Sequence, residues 1–102
     1  MIRLTSRARA DLEEIRTYTE ERWGTAQWLR YYGGLVSAFE AIEARPDMGR
    51  DRALFVPGMR SVSAGRHVIF FKCLEAAEGR PVVLRVLHER RNLGALRYYE
   101  GL

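Results

Sequence analysis

At 102 residues, 47% hydrophobic and 29% charged, the chain has the length and makeup of one globular domain, too short for two and too apolar for disorder. It carries 17 lysines and arginines against 13 aspartates and glutamates, a formal net charge of +4, which points to an acidic protein segment or nucleic acid as partner. No apolar run approaches the ~20 residues that cross a bilayer, and Met1-Ile2-Arg3-Leu4-Thr5 lacks the apolar stretch of a secretory signal.

The charge is unevenly spread. Residues 1–48 hold seven arginines against eight acids, whereas residues 49–102 hold ten basic residues against five acids. All basic residues but Lys72 are arginine, a side chain suited to bidentate pairing with carboxylate or phosphate. The positive field is therefore expected over the second half, and it is densest at His88-Glu89-Arg90-Arg91.

Ile2 and Leu4 alternate with polar neighbours, as in a short edge strand, and Thr5 or Ser6 offers a helix N-cap. Ala8, Leu12, Ile15, Thr19 and Trp23 then recur at helical spacing, with Arg9, Glu13, Arg16 and Glu20 on the opposite face. Gly24 ends this helix and Thr25 caps a second, which makes the two an antiparallel hairpin. The second helix runs to about Ala44, because Arg45 precedes Pro46 and is pushed out of the α region. One apolar stripe on it is Trp28, Tyr31, Leu35, Ala38 or Phe39, and Ile42; a second is Leu29, Tyr32, Val36 and Phe39. Two stripes exceed what a surface helix needs, so this helix is either covered on two sides or sunk deeper in its own core. Gly33-Gly34 sits in its middle, where each glycine costs ~1 kcal/mol relative to alanine; it permits a close approach or a kink, or is tolerated drift.

Asp47-Met48-Gly49-Arg50 reads as a loop. Beyond it Met59–Ser63, Arg66–Leu74 and Val82–His88 read as strands, joined by turns at Ala64-Gly65 and Glu78-Gly79. They are expected to pair as an antiparallel meander, with the apolar last strand central. The segment Asn92–Leu102 is weakly patterned, with Leu93, Leu96, Tyr98 and Tyr99 able to dock as a short helix or strand.

The sequence lacks GxxxxGK[ST], HExxH, GxSxG and CxxC. With two histidines and one cysteine, a metal centre and a disulfide are both excluded from the expectations, as is a cofactor. Cys73 is expected as a buried small hydrophobe in a reducing cytoplasm, and the acids fall mainly on the solvent face of the first helix. Arg60, His67, Arg85 and His88 lie on the strands, with Glu89, Arg90 and Arg91 following. A histidine and a glutamate beside arginines have the chemistry to cleave RNA, through proton transfer and charge stabilisation. Equally, His67 and His88 are strand residues with satisfied hydrogen bonds.

A set of segments, in this order, resembles the ParE toxins of type II toxin–antitoxin systems, within the ParE/RelE superfamily. They are Leu4-Thr5 leading into Ala8, Asp11-Leu12 and Ile15; Trp23-Gly24; Tyr31, Leu35 and Pro46 with Gly49-Arg50; Pro57-Gly58-Met59-Arg60-Ser61; Gly65-Arg66-His67-Val68-Ile69; and Arg85-Val86-Leu87-His88-Glu89-Arg90-Arg91. The resemblance implies one α+β domain over residues 1–102, with an N-terminal short strand and a two-helix antiparallel hairpin packed on a twisted antiparallel β-sheet. It implies a cytoplasmic bacterial toxin that arrests growth, without a cofactor, and a ParD-like antitoxin whose C-terminal segment wraps and blocks it. Operator DNA is then met only through the antitoxin, and the membrane not at all. Members of the ParE branch poison DNA gyrase, while RelE-like relatives cut mRNA on the ribosome. The middle strand here is not lysine-rich, as it is in those nucleases, so the ParE branch fits better. On this reading Leu29, Tyr32, Val36 and Arg60 meet the antitoxin, and His88, Glu89, Arg90 and Arg91 meet the target. The alternative, a ribosome-dependent endoribonuclease, would use Arg60, His88 and Arg91.

Overall fold

The computed structural model describes residues 1–91, so the expected docking of Leu93, Leu96, Tyr98 and Tyr99 lies outside the described residues. Strand β1 (Arg3–Leu4) leads into helix α1 (Ser6–Trp23) and then α2 (Thr25–Ala44). Strands β2 (Arg50–Asp51), β3 (Arg60–Ala64), β4 (His67–Cys73) and β5 (Pro81–His88) follow, with a 3₁₀ turn at Glu75–Ala77. The sheet order is β1-β5-β4-β3-β2, and α1 and α2 lie over one face.

Thr5 is the N-cap, its hydroxyl oxygen accepting from the Ala8 amide at 3.0 Å. The same hydroxyl donates to Leu84 O at 2.8 Å, so one side chain both starts α1 and ties it to β5. Ala8, Leu12, Ile15 and Thr19 are buried as the periodicity predicts. Trp23 is not: it is 61% exposed, because α1 runs past the edge of the core before Gly24 ends it. Gly24, rather than Thr25, is the N-cap of α2; Thr25 is its first residue and its hydroxyl donates to Glu20. Helix α2 ends at Ala44 as expected, and buries Trp28, Leu35, Phe39 and Ile42. Leu29 is 61% exposed, and Tyr32 and Val36 are half-buried. A Cβ added at Gly33 or Gly34 would meet nothing among the described residues, so no close approach among them explains the pair.

The meander β3–β4–β5 is antiparallel with Ala64 opposite His67 and His67 opposite His88. Two features depart from the sequence expectations, one a parallel pairing and the other a strand where a loop was expected. Strand β1 pairs with β5 in parallel, Arg3 beside Val82 and Leu4 beside Val83, and Arg50-Asp51, read as loop, pairs with Arg60-Ser61 as β2. Short two-residue edges of this kind carry almost no periodicity to read. Cys73 is exposed at the end of β4 rather than buried, since its strand there has run beyond the core.

Between the sheet and the helices lies the main core, around Leu35, Phe39, Ile42, Ile69, Phe71 and Val83. The other face of the sheet has its own small core of Val56, Met59, Phe70, Leu84 and Leu87. The β2–β3 connection closes it, held by Arg52 N–H to Met59 O at 2.9 Å and by Arg52 Nε to Ser61 Oγ at 2.8 Å.

β5 has β1 as an outer neighbour only at Val82 and Val83. Past that point Asp11 of α1 takes over the strand's edge. Its carboxylate accepts from the Val86 amide at 2.9 Å and, bidentately, from Arg85 Nε and an Arg85 terminal nitrogen at 2.8 and 2.9 Å. Both side chains are buried. Along the β4–β5 pair Phe70 faces Arg85 while Phe71 faces Val83, so Leu84 is an extra residue; such a bulge re-aims the side chains beside it. Replacing Asp11 by alanine should remove the bidentate carboxylate from Arg85 and the acceptor from the Val86 amide, costing about 3–5 kcal/mol. Urea unfolding of Asp11→Ala against the parent chain checks this; a loss below ~1 kcal/mol would mean the pair is dispensable.

Candidate functional site: a cleft at the end of the last strand

The second half of α1, the start of α2 and the ends of β4 and β5 enclose a cleft of about 1040 Å³. Its helical wall carries Glu14, Ile15, Tyr18 and Trp23; its sheet wall carries Arg66, His67, His88 and Arg91. The walls differ in chemistry. Tyr18 and Trp23 are exposed aromatics in edge contact, ring centroids 6.0 Å apart, with the Arg22 guanidinium 4.6 Å above the Tyr18 ring. Opposite them stand cations and imidazoles.

The floor is a column of three rings. Tyr31 OH makes a short hydrogen bond with His67 Nδ1, accepts from the Arg66 amide at 3.0 Å and reaches Ala64 O at 3.3 Å. His67 stacks edge-to-face on both Tyr31 (5.5 Å) and His88 (5.4 Å). The β3–β4 turn is shaped for this contact. Gly65 has φ +58°, and a Cβ there would lie 2.6 Å from a Tyr31 ring carbon, so both backbone and space exclude a larger residue. Tyr31 was readable only as one member of an apolar stripe; its hydroxyl role leaves no signal in the spacing.

Beyond β5 the chain turns at once, with Arg91 N–H bonded to His88 O at 2.8 Å and Glu89 N–H to Arg66 O at 2.9 Å. The Arg90 amide donates to His88 Nδ1 at 3.2 Å, which leaves the neutral ring's proton on Nε2. Glu89 and Arg66 are 3.6 Å apart as an exposed ion pair. His88, Glu89, Arg90 and Arg91 are thus brought together and exposed. Arg60 is elsewhere: it sits opposite Phe71, four strand positions from Ala64 and His67, ~13 Å at about 3.3 Å per residue. There it holds the α2–β2 loop, donating to Met48 O at 2.9 Å and Gly49 O at 2.8 Å. Arg85, on the same strand as His88, is taken up by Asp11. Asp11 itself is an acid that the helical pattern places beside the core, and it escaped a reading that looked for acids on the solvent face. No three of His, Cys, Asp or Glu come together for a metal ion among the described residues.

Burial lowers the His67 pKa from its ordinary 6.5, with the neighbouring His88 acting the same way, while Glu89 and Asp11 oppose them. Burial likewise raises the Tyr31 phenol above 10.0. His67 therefore binds its proton more weakly folded than unfolded, and the unfolded chain takes up more protons once the pH falls below about 6.5. Stability should be flat from neutral pH down to about 6.5, then fall until the lowered native pKa is passed. His67→Gln should remove that component from the difference between denaturation midpoints at pH 7.5 and 5.5; an unchanged pH slope would show that His67 does not carry it.

The sequence as a whole agrees with this architecture. Residues 2–93 match the family model described as the ParE toxin of type II toxin–antitoxin system, parDE. The chain is 38% identical over 93 residues to Toxin ParE1 of Caulobacter vibrioides, covering 91% of this chain and 93% of the relative. It is 39% identical over 90 residues to Toxin ParE1 of Mycobacterium tuberculosis, covering 88% and 90%, and 34% identical to Toxin ParE of Escherichia coli, covering 88% and 85%. A solved structure titled as the chromosomal ParDE TA system from P. aeruginosa shares the fold, with a TM-score of 0.69, 22% identity, and coverage of 86% of this chain and 96% of that one. With a family model spanning nearly its whole length and relatives above 30% identity, the chain belongs to the ParE toxin family of type II toxin–antitoxin systems.

Proposed function

We propose that this toxin inhibits DNA gyrase in the cytoplasm by protein contact and is neutralised by a ParD-like antitoxin through the antitoxin's C-terminal segment. The observation that carries the contact reading is the arrangement of the two histidines. Their rings pack edge-to-face at 5.4 Å, so these two histidines do not stand on either side of a phosphate-sized gap as a base–acid pair would. Arg60, the third group a nuclease would need, stands at the far end of β3 with its donors on backbone carbonyls. His88, Glu89, Arg90 and Arg91 form an exposed turn, a suitable surface for gripping a macromolecular target.

On the same reading the antitoxin lays an apolar helix along Leu29, Tyr32 and Val36, with Arg60 meeting an acid nearby. Exposure of Leu29 at 61% and half-burial of Tyr32 and Val36 support that stripe. No helix among the described residues is long and apolar enough to cross a membrane. Operator DNA is reached only through the antitoxin.

Purified toxin added to gyrase and plasmid should abolish supercoiling or accumulate cleaved DNA, and Arg90→Glu with Arg91→Glu should weaken the effect at least about tenfold. Transcript cutting on ribosomes that disappears in His88→Ala, with gyrase untouched, would replace this reading with the nuclease one. Tyr32→Asp with Val36→Asp should weaken antitoxin binding by about tenfold or more, since each buries a charge in an apolar contact. Unchanged affinity with an intact circular dichroism spectrum would remove the stripe from the interface.

A further inference from the structure

We propose that the Tyr31 hydroxyl positions the exposed turn His88–Arg91, acting through Arg66 and the two imidazoles, and that a proton on His88 releases the turn. The proposal rests on the reading of that turn as the target surface and adds what holds it in place.

Little within the turn supports it. Its residues are exposed, and its internal bonds are the Arg91 amide to His88 O and the Arg90 amide to His88 Nδ1. Among the described residues, the remaining hydrogen bonds and ion pairs of residues 89–91 run to Arg66. Glu89 N–H donates to Arg66 O at 2.9 Å, and the two side chains form an ion pair at 3.6 Å. An exposed ion pair contributes little, so the backbone bond carries the placement.

Arg66 is itself fixed from α2. Its amide donates to the Tyr31 hydroxyl at 3.0 Å, and the same oxygen bonds His67 Nδ1 and reaches Ala64 O. Gly65, between them, has φ +58° and carries no Cβ to displace the ring. One phenol thus grips Ala64, Arg66 and His67 together. Arg66 is held on its amide by the helix and holds the turn by its carbonyl. A second line runs through the rings, Tyr31 against His67 and His67 against its cross-strand partner His88.

The hold depends on protonation. His88 Nδ1 accepts the Arg90 amide only while that nitrogen carries no proton. An imidazolium there sets a donor against a donor and costs the turn one of its bonds. Burial disfavours the charged forms of His67 and Tyr31 beneath it. Asp11 and Glu14 face these rings from α1, Tyr31 from α2, Arg66 from the β3–β4 turn, and Glu89 and Arg91 from beyond β5. With Arg85 on Asp11, acids and arginines balance around the rings. The release is therefore assigned to the lost acceptor and not to the surrounding charge.

In the isotope-labelled chain, the amide heteronuclear NOE of Glu89, Arg90 and Arg91 reports their order on the ps–ns scale. At neutral pH it is expected to be high in the parent chain and to fall in Tyr31→Phe, which keeps the ring and removes the oxygen. Gyrase inhibition by that variant is expected to weaken about tenfold, the cost of fixing freed arginines on binding. Ile42→Val, a truncation in the buried core towards the far end of α2, is the control for lost stability alone and is expected to leave both readouts at parent values. On acidification from about pH 7.5 to about pH 5.5, across the histidine range, the parent NOE is expected to fall reversibly. His88→Asn supplies a side-chain oxygen that accepts the same amide as an Asx turn and takes up no proton there; its NOE is expected to hold at both pH values. Unchanged order in Tyr31→Phe, or an equal loss in Ile42→Val, overturns the positioning role, and so does lost order with parent-level inhibition. A parent turn equally ordered at both pH values, or an equal acid loss in His88→Asn, overturns the release by protonation. Lost order in Tyr31→Phe with a parent chain that leaves gyrase untouched overturns the target reading and leaves the positioning of the turn standing.

Discussion

The structure depends on how the outer edge of β5 is satisfied after β1 runs out. An exposed strand edge presents unpaired backbone groups, and here two polar side chains, Thr5 and Asp11, bond the β5 edge beyond its pairing with β1. Thr5 takes the Leu84 carbonyl and Asp11 the Val86 amide. Arg85, aimed by the bulge at Leu84, neutralises the carboxylate. A buried ion pair of this kind is not a large gain over well-packed apolar residues. Its effect is on geometry: it admits one register between helix and strand, and it joins residues 74 apart in sequence.

The cleft is a consequence of that anchoring. Helix α1 is held to β5 at Thr5 and Asp11, near its start, and continues to Trp23 beyond the last residues that the sheet can cover. The space between is floored by Tyr31, His67 and His88 and walled by residues of opposite character. Burial disfavours the charged form of His67, and the permanent cations of the sheet wall are Arg66 and Arg91. The floor of the site is built from side chains already partnered within the chain, Tyr31 with His67 and His67 with His88. Such a surface suits recognition of another protein, where the cost of ordering side chains on binding is already met.

Much of the fold was legible in the sequence because it rests on long periodic segments. The 3.6-residue repeat gave α1 and α2, Pro46 marked the end of α2, and the apolar runs with glycine turns gave β3, β4 and β5. What escaped was short or depended on tertiary geometry. Two-residue strands such as β2 have no period, and the parallel pairing of β1 depends on a partner nearly 80 residues away. Trp23 fits the apolar spacing of α1, but spacing cannot say where the core beneath the helix stops. For the site, the charge count located His88 to Arg91 as one group, and the structure keeps them together. Arg60 was grouped with them by residue type alone, and strand register separates it. Asp11 and Tyr31 were invisible as polar participants, since a buried polar atom is defined by its partner and not by its neighbours in sequence.

Cys73 illustrates the same limit and offers something practical. It is the sole thiol in the chain, it is exposed, and it lies six residues along β4 from His67, ~20 Å at about 3.3 Å per residue. A maleimide dye placed there sits at the opposite end of the strand from the cleft and needs no engineered cysteine. The native chain thus carries a single attachment point for fluorescence or spin labelling that leaves the aromatic and basic walls free.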